Sequence, residues 1–373
     1  MNHQGLESIT IKGFKSIRSI EALPLRPVNV IIGANGAGKS NFIEAFSLIG
    51  EIRQGRLNGY VRRANGANAL LHFGSKATSE ILLHVVFNCE PNLQYRLQLL
   101  PTDDDGLAPG REEAIFLNRA IGGQPHAEAL PPQEKGREAG ISGREFEPAG
   151  LFVSVALAGW RPFHVHDTSA TSAWRRPAQL EDNDFLRPDG SNLPAFLYLL
   201  QQREPQAYDL IRRTVQRVAP FFEDFNLRPD KLNPNTIRLA WHHKNSDQFF
   251  GASALSDGTL RFIALATLLL QPVKYRPSVI LVDEPELGLH PYAMTLLASL
   301  VKQAAADTQV ILSTQSSQLL DHFEPEDVLV AERETGATCL RRLDSAPLAS
   351  WLEDYSLGQL WEKNELGGRP ERE

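Results

Sequence analysis

The chain has 373 residues, of which 42% are hydrophobic and 22% are charged, as in an ordinary globular protein. This composition excludes wholesale disorder, a collagen-like chain and a disulfide-built scaffold. Because the formal net charge is −7, any binding of nucleic acid would need a local basic face rather than the charge of the whole molecule.

The cysteines and the N-terminus bear on the compartment. Only Cys89 and Cys339 are present, and neither lies in a CxxC or Cys/His ligand pattern, which disfavours a zinc site and favours a reducing environment. The first residues lack a secretion signal, and no apolar run approaches the roughly 20 residues that span a bilayer. We therefore expect a cytoplasmic protein that is not embedded in a membrane.

The first elements of the chain predict a strand, a glycine loop and a helix. Residues 8–11 and 28–32 are short and rich in β-branched side chains, and the second run is apolar enough for a strand covered on both faces. After the loop, residues 41–52 carry apolar side chains at helical spacing.

The glycine loop fits the phosphate-binding pattern G-x-x-x-x-G-K-[ST] in full and has the strand and helix that this pattern requires. The loop consists of Gly33, Ala34, Asn35, Gly36, Ala37, Gly38, Lys39 and Ser40, followed by Asn41. Glycines let backbone N–H groups turn toward a triphosphate, and the helix N-terminus adds positive potential. Lys39 is expected to reach the outer phosphates and Ser40 to ligate Mg²⁺. The sequence therefore predicts an ATP site.

A β-rich part follows. Residues 80–88 and 93–100 predict an antiparallel pair, and 114–117 can add a strand. Ten of the 29 residues from 122 to 150 are Gly or Pro, which predicts a mobile surface insertion.

The C-terminal half predicts helices followed by a second α/β segment. Residues 192–222 have helical periodicity but no sustained heptads, so a coiled-coil arm is not expected. Residues 237–241 predict a strand and 259–270 an apolar helix. Residues 279–282 and 310–312 predict buried strands, with a helix over 291–306 between them.

Two adjacent carboxylates follow the strand at 279–282. Asp283 is expected to hold Mg²⁺ through water, and Glu284 to orient and deprotonate the attacking water. The alternative is a solvated strand end, which is less favoured because the pair occurs together with the phosphate loop.

A second glycine turn opens the helix at 259–270. It consists of Ser256, Asp257, Gly258 and Thr259. By itself this is an ordinary N-cap, since Ser and Asp are preferred there. Together with the phosphate loop and the carboxylates, however, the chain resembles the ABC-type ATPase heads of the RecF and structural-maintenance-of-chromosomes (SMC) class. In those heads a Ser-x-Gly signature of one subunit closes on the nucleotide of the other, so the resemblance implies an ATP-dependent, head-to-head homodimer with two composite sites.

The resemblance covers residues 8–50 and 250–330. The segment 11–17 (Ile-Lys-Gly-Phe-Lys-Ser-Ile) resembles the Phe-Lys-Ser strand of these heads, and 286–291 resembles their D-loop. Gln315 stands where the heads usually carry a switch histidine, so the resemblance implies a switch that cannot titrate near neutrality. The tail, from Tyr355 to Pro370, resembles that of stand-alone bacterial AAA family ATPases of RecF type, without an evident chemical role.

We therefore predict an α/β P-loop NTPase with an ABC-ATPase-like head, made of a mainly parallel core sheet, an antiparallel β subdomain and a helical signature lobe. The predicted divisions are 1–120 and 251–345 for the two parts of the head, 121–150 for the flexible insertion, 151–250 for the helical lobe and linker strands, and 346–373 for the tail.

The function that follows is ATP hydrolysis coupled to DNA binding, in repair or in defence against foreign DNA such as phage. Residues 52–79 contain five cations and no acid, which can serve phosphate binding or merely form a solvated loop. One alternative is a nucleotide-dependent scaffold for a separate nuclease or toxin. Another is a transporter ATPase, which the separation of 217 positions between Lys39 and Ser256 disfavours. The heads of this class also carry a Q-loop glutamine, and Gln54, Gln94 and Gln98 are alternative candidates for it. A metal site at His164, His166 and Asp167 is less favoured than a strand of satisfied polar groups.

Overall fold

The computed structural model describes residues 5–89, 92–117, 126–133, 136–143, 148–163 and 172–368. The strands are β1 (Leu6–Phe14), β2 (Ile17–Pro24), β3 (Val28–Ile32), β4 (Ile81–Phe87), β5 (Asn92–Pro101), β6 (Leu107–Leu117), β7 (His126–Ala129), β8 (Trp160–Phe163), β9 (Ala178–Gln179), β10 (Phe222–Phe225), β11 (Thr236–Ile237), β12 (Ala240–His243), β13 (Phe249–Gly251), β14 (Val279–Asp283), β15 (Gln309–Ser313), β16 (Val328–Glu334) and β17 (Ala337–Arg342). The helices are α1 (Lys39–Arg53), α2 (Leu57–Arg63), α3 (Ala67–Leu70), α4 (Pro148–Ala158), α5 (Leu193–Arg203), α6 (Pro205–Val218), α7 (Asp257–Leu270), α8 (Pro291–Ala304), α9 (Ser317–Leu320), α10 (Ser345–Leu352) and α11 (Leu357–Glu362).

A six-stranded sheet in the order β17-β16-β3-β15-β14-β8 forms the centre of the molecule. Its strands β16, β3, β15, β14 and β8 are parallel, and β17 returns antiparallel to β16. Strand β15 lies between β3 and β14, so the ends of the predicted phosphate strand and carboxylate strand meet at one edge. The predicted α/β class with a mainly parallel core sheet is confirmed.

The two faces of this sheet are buried in different apolar clusters. On β3, Val30 and Ile32 face a cluster with the C-terminal helices, whereas Ile31 faces a cluster with α1 and the N-terminal strands. Val282 and Leu281 on β14 divide in the same way. Burial on both faces explains why these strands are continuous apolar runs rather than alternating patterns.

The N-terminal β subdomain is a six-stranded antiparallel sheet in the order β2-β1-β4-β5-β6-β7. Part of the stretch 121–150, which was expected to be a flexible insertion, belongs to it: β7 pairs with β6. The buried carboxylate of Glu112 also accepts backbone N–H groups of Gly140 and Ile141, at 2.6 and 2.8 Å. Strand pairing and buried hydrogen bonds therefore connect these described residues to the β subdomain and oppose the conformational freedom of their glycines and prolines, while the flexibility of the insertion stays a prediction.

The helical lobe differs from its prediction in detail. The periodic stretch 192–222 is two helices, α5 and α6, because Pro205 at the start of α6 has no backbone N–H to continue α5. The predicted strand 237–241 falls into β11 and β12, which belong to different small sheets.

Candidate functional site

The predicted phosphate loop, residues 33–40, runs from the end of β3 into α1. Gly38 at the helix N-cap has φ +99°, and no side chain caps this helix. A side chain at Gly33 would clash with the carbonyl of Ala331, whereas Gly36 has open space around its Cα. The loop therefore leaves a helix N-terminus uncapped and approachable, which suits an anion.

Lys39 is 5% exposed and lies inside this loop. Its Nζ donates to the carbonyl oxygens of Gly33 at 2.8 Å and Ala34 at 3.1 Å. Burial lowers the pKa of the Lys39 ammonium, and the nearby carboxylates of Glu284 and Asp283 act in the opposite direction. A buried cation whose hydrogen bonds within the described residues go to neutral carbonyls is well placed to exchange them for phosphate oxygens.

Ser40 and Asp283 are 243 positions apart in sequence and touch in the structure. The Ser40 hydroxyl donates to Asp283 Oδ2 at 2.9 Å, and the Ser313 hydroxyl donates to Asp283 Oδ1. A hydroxyl beside a carboxylate is an oxygen donor set that fits Mg²⁺. Within the described residues no group of three or more His, Cys, Asp or Glu could hold a metal ion by itself.

Glu284 directly follows β14 and has φ +43°, an uncommon conformation for a side chain other than glycine. The turn is held by a hydrogen bond from its N–H to the Ser313 carbonyl at 3.0 Å. The Gln315 amide donates to the Glu284 carboxylate. The structure thus brings the predicted base and the predicted switch residue into direct contact.

Glu286 was not singled out beyond its place in the D-loop-like segment, yet it is 7% exposed and bonded to the end of β15. Its Oε1 accepts from the Thr314 hydroxyl at 2.6 Å and from the Gln315 N–H at 3.1 Å. The other oxygen, Oε2, is buried and has no hydrogen-bond partner among the residues that the structure describes. Burial raises the pKa of the Glu286 carboxyl.

The signature-like turn, residues 256–259, lies at the surface. Ser256 is exposed and caps α7 by accepting the Thr259 N–H at 3.1 Å, and Asp257 pairs with Arg175 at 2.7 Å. Neither Ser256 nor Asp257 makes a hydrogen bond or ion pair with the phosphate loop of the same chain among the described residues. A side chain at Gly258 would clash with the carbonyl of Gly288, so this turn is packed on the D-loop-like segment.

The Phe-Lys-Ser segment supports the phosphate loop from outside. Asn41 Nδ2 donates to Ser16 Oγ at 2.6 Å, and the Thr338 hydroxyl lies 2.7 Å from Ser16 Oγ and 2.8 Å from the Ala37 carbonyl. Sequence reasoning missed Thr338, since nothing near position 338 marks it as close to a loop 300 residues earlier.

A cavity of about 500 Å³ adjoins this support. Ser16, Asn41 and Phe73 are among the residues that line it. Phe73 is 69% exposed and has φ +57°, so the chain holds a large apolar ring in a strained and solvent-facing position. No sequence pattern singled out Phe73.

The basic stretch 52–79 is partly neutralised. Arg56 and Arg63 both pair with Glu51 at 2.6 Å, and Arg53 donates to the carbonyl of Ser154. Glu51, on α1 just before the stretch, thus pairs with two of its five cations, and the stretch contains the helices α2 and α3 rather than a single solvated loop.

The three candidate Q-loop residues form hydrogen bonds with neighbours elsewhere in the described parts of the chain. The amides of Gln54, Gln94 and Gln98 bond to Gly50, Asn92 and Glu80, away from the phosphate loop. The weighed metal ligands His164, His166 and Asp167 lie outside the described residues.

Comparison with family models finds one match over residues 28–321, to the family described as "AAA domain, putative AbiEii toxin, Type IV TA system". This match spans the phosphate loop, the signature-like turn, the two carboxylates and Gln315. No curated protein matches the chain.

Solved SMC heads have the same fold. An Smc head bound to the C-terminal winged-helix domain of ScpA is 17% identical with a TM-score of 0.59, covering 91% of this chain and 98% of that one. A Pyrococcus furiosus Smc head with an extended coiled coil, bound to the C-terminal domain of ScpA, is 16% identical with a TM-score of 0.59, covering 94% and 99%. The Pyrococcus yayanosii head with a coiled coil and joint is 12% identical with a TM-score of 0.58, covering 94% and 99%. Within the described ranges, no helix is both long and apolar enough to cross a membrane.

Proposed function

Because the chain belongs to this family of AAA-domain proteins and has the fold of an SMC-type P-loop ATPase head, we propose that it binds ATP with Mg²⁺ and hydrolyses it to ADP and phosphate. The observation that carries the proposal is the contact between Ser40 and Asp283 beside the buried ammonium of Lys39. A hydroxyl, a carboxylate and a cation meet there at an uncapped helix N-terminus, which is the set of groups that a metal-bound triphosphate needs.

Each residue has a distinct task in this proposal. Lys39 exchanges the carbonyls of Gly33 and Ala34 for phosphate oxygens. Ser40 and Asp283 hold Mg²⁺, which when bound neutralises charge on the phosphate oxygens. Glu284 accepts a proton from the attacking water, and Gln315 orients the Glu284 carboxylate through its amide.

The nucleoside is assigned to the cavity lined by Ser16, Asn41 and Phe73. Asn41 directly follows the phosphate loop, so a triphosphate in the loop places its nucleoside within reach of this cavity. The exposed Phe73 ring supplies a face on which a base can stack.

We further propose that two chains form a head-to-head dimer around ATP. The signature-like turn has Ser256 and Asp257 exposed, and within the described residues neither forms a hydrogen bond or ion pair with the phosphate loop of its own chain. It is therefore available to the nucleotide of a second copy. Hydrolysis would then reopen the dimer by removing the terminal phosphate between the two chains.

Glu284→Gln tests the chemistry. The amide keeps the size of the side chain but cannot accept the proton, so phosphate release should fall by about 10²- to 10⁴-fold while ATP binding is retained. The matched control is Glu223→Gln on the surface of β10, which should hydrolyse ATP at the wild-type rate. A wild-type rate no higher than that of Glu284→Gln would favour the non-hydrolysing scaffold instead.

Sizing of Glu284→Gln with and without ATP tests the dimer. Because the variant binds ATP without turning it over, it should run as a dimer with ATP and as a monomer without it. A monomer under both conditions would overturn the composite site, even if hydrolysis by the wild type were normal.

We also propose that ATP-dependent dimerisation controls the binding of DNA or of an effector protein, in repair or in defence. The family description, with its toxin and type IV toxin–antitoxin system, favours the effector and defence side. Because Arg56 and Arg63 pair with Glu51, the basic stretch 52–79 offers less positive charge to DNA, which weakens the argument for DNA binding. Filter binding across a salt series decides the DNA version: no ATP-dependent retention of DNA at low salt excludes it.

A further inference from the structure

The C-terminal segment, Leu357–Gly368, is fixed to the body of the protein. Its helix α11 begins with a capping box, in which Ser356 and Gln359 bond to each other's backbone N–H groups. Leu360 and Leu366 are fully or almost fully buried in the cluster shared with the core sheet. The segment is therefore a packed part of the head.

This segment ends against the phosphate loop. The Ala34 N–H donates to the Gly368 carbonyl at 2.7 Å, and the Gly368 N–H donates to Glu332 Oε1 at 2.8 Å. Gly368 is buried and has φ +81°, and a Cβ there would lie 3.2 Å from Gly33 Cα and from Val330 Cγ1. Only glycine fits this approach without displacement.

The turn at Gly33 and Ala34 is consequently held from two sides. On the inside, Lys39 Nζ bonds to both carbonyls, and on the outside, Gly368 bonds to the Ala34 N–H. If phosphates bind Lys39, its hydrogen bonds to the carbonyls of Gly33 and Ala34 are lost, because the ammonium forms stronger hydrogen bonds with charged oxygens. The outer contact with Gly368 then has to keep the turn in place.

The same segment also contacts α9, which begins at Ser317 shortly after the end of β15. The Ser317 hydroxyl donates to Glu362 Oε1 at 2.6 Å, and the Gly358 N–H donates to Asp321 Oδ1 at 2.6 Å. A cavity of about 290 Å³ lies between these contacts and the phosphate loop, and Ala34, Gln315 and Glu362 are among the residues that line it. Ser317 is two positions from Gln315, whose amide contacts Glu284.

We propose that the C-terminal segment is a positioning element of the nucleotide site: Gly368 holds the phosphate loop for binding, and Glu362 holds the start of α9, two positions after Gln315, for turnover. The inference rests on the proposed function, since it assigns these contacts to the same ATP site. It predicts that the two contacts affect different kinetic constants.

Gly368→Ala tests the first contact. The added methyl should push the segment away from Gly33 and raise the dissociation constant for ATP, measured with a fluorescent analogue, by about 10-fold. Gly136→Ala is the control, because Gly136 has φ +87° but nothing within 4 Å of its Cβ position. If Gly368→Ala does not fold, Glu332→Ala releases the Gly368 N–H without adding volume and should weaken binding in the same direction.

Glu362→Ala tests the second contact against Glu365→Ala, an exposed carboxylate in the same segment. Glu362→Ala should lower kcat about 10-fold with little change in KM, because a misplaced Gln315 no longer orients Glu284. Glu365→Ala should match the wild type in both constants.

The outcomes separate the two proposals. A wild type that neither binds nor hydrolyses ATP defeats the proposed function. A wild type that does both, with Gly368→Ala and Glu332→Ala within twofold of Gly136→Ala in affinity, or Glu362→Ala equal to Glu365→Ala in kcat, overturns the positioning role alone. Equal losses in both constants from either variant would point to general destabilisation and also count against it.

Discussion

Two glycine-containing turns lead into helix N-termini in this molecule, and their hydrogen bonding differs. At α1 the N-cap is a glycine with no side-chain cap, and the first turn contains the buried cation Lys39. At α7 the cap is Ser256, which satisfies the Thr259 N–H at the exposed surface. The first helix end is open to an anion, whereas the N-cap of the second is already satisfied by a side chain of its own chain, so the second would meet a nucleotide in the dimer that we propose.

The largest effect that distinguishes the two turns is expected at the second one, residues 256–259. Ser256→Asp keeps a good N-cap but replaces a hydrogen-bond donor by a negative charge. We expect ATP affinity of the phosphate loop and thermal stability to stay at wild-type levels, while turnover falls about 10²- to 10³-fold and the ATP-dependent dimer is lost. Steady-state phosphate release and sizing with ATP provide the measurement.

Ser246→Asp is the control for that variant, since Ser246 also accepts a backbone N–H, from Gln248 at 3.1 Å, in a turn of the helical lobe. Equal turnover in Ser256→Asp and Ser246→Asp would mean that the exposed turn is only a helix cap.

At the first turn, Lys39→Ala removes the buried cation. Nucleotide affinity should fall by about 30- to 150-fold, corresponding to the roughly 2–3 kcal/mol of hydrogen bonds to a charged group. Titration calorimetry with ATP measures this, and the exposed Lys302→Ala serves as the control. Unchanged affinity would show that the phosphate loop does not bind the triphosphate.

A smaller effect is expected where the nucleoside is assigned. Phe73→Ala should weaken ATP binding by about 5- to 30-fold, which corresponds to about 1–2 kcal/mol, the lower part of the range for a base stacked on an aromatic ring. Inorganic triphosphate, which has no base, should compete with a fluorescent nucleotide equally well for the wild type and the variant. Phe249→Ala, which removes another half-exposed ring in the helical lobe, should change neither measurement.

The smallest effect concerns stability and pH at Glu286. Because burial raises the pKa of this carboxyl above 4.5, the folded state binds more protons than the unfolded state in the range just above that value. The stability contribution of Glu286 therefore falls as pH rises through this range and is then constant. Glu286→Gln removes the titratable carboxyl. The melting temperature of the variant minus that of the wild type should therefore increase between pH 4.5 and pH 8. A constant difference across this range would contradict the shifted pKa.

The sequence by itself determined the elements whose chemistry is local. The strand at 28–32, the glycine loop and the helix after it are contiguous, and so are the strand at 279–282 and its carboxylates. A sheet covered on both faces requires uninterrupted apolar strands, and a phosphate loop requires glycines at fixed positions. The sequence alone therefore predicts the buried strands, the phosphate loop and the α/β class.

Only the tertiary structure decided which distant residues complete the site. Strand β15 between β3 and β14 brings Ser40 to Asp283 and Gln315 to Glu284, and no local pattern encodes that strand order. Thr338 and Gly368 reach the phosphate loop in the same way, through single contacts made by the far end of the chain. Gly140 and Ile141 likewise donate their N–H groups to Glu112, which lies 28 and 29 positions earlier. Composition describes the conformational freedom of a segment in isolation, whereas packing and hydrogen bonds to distant residues determine the position of that segment in the folded protein.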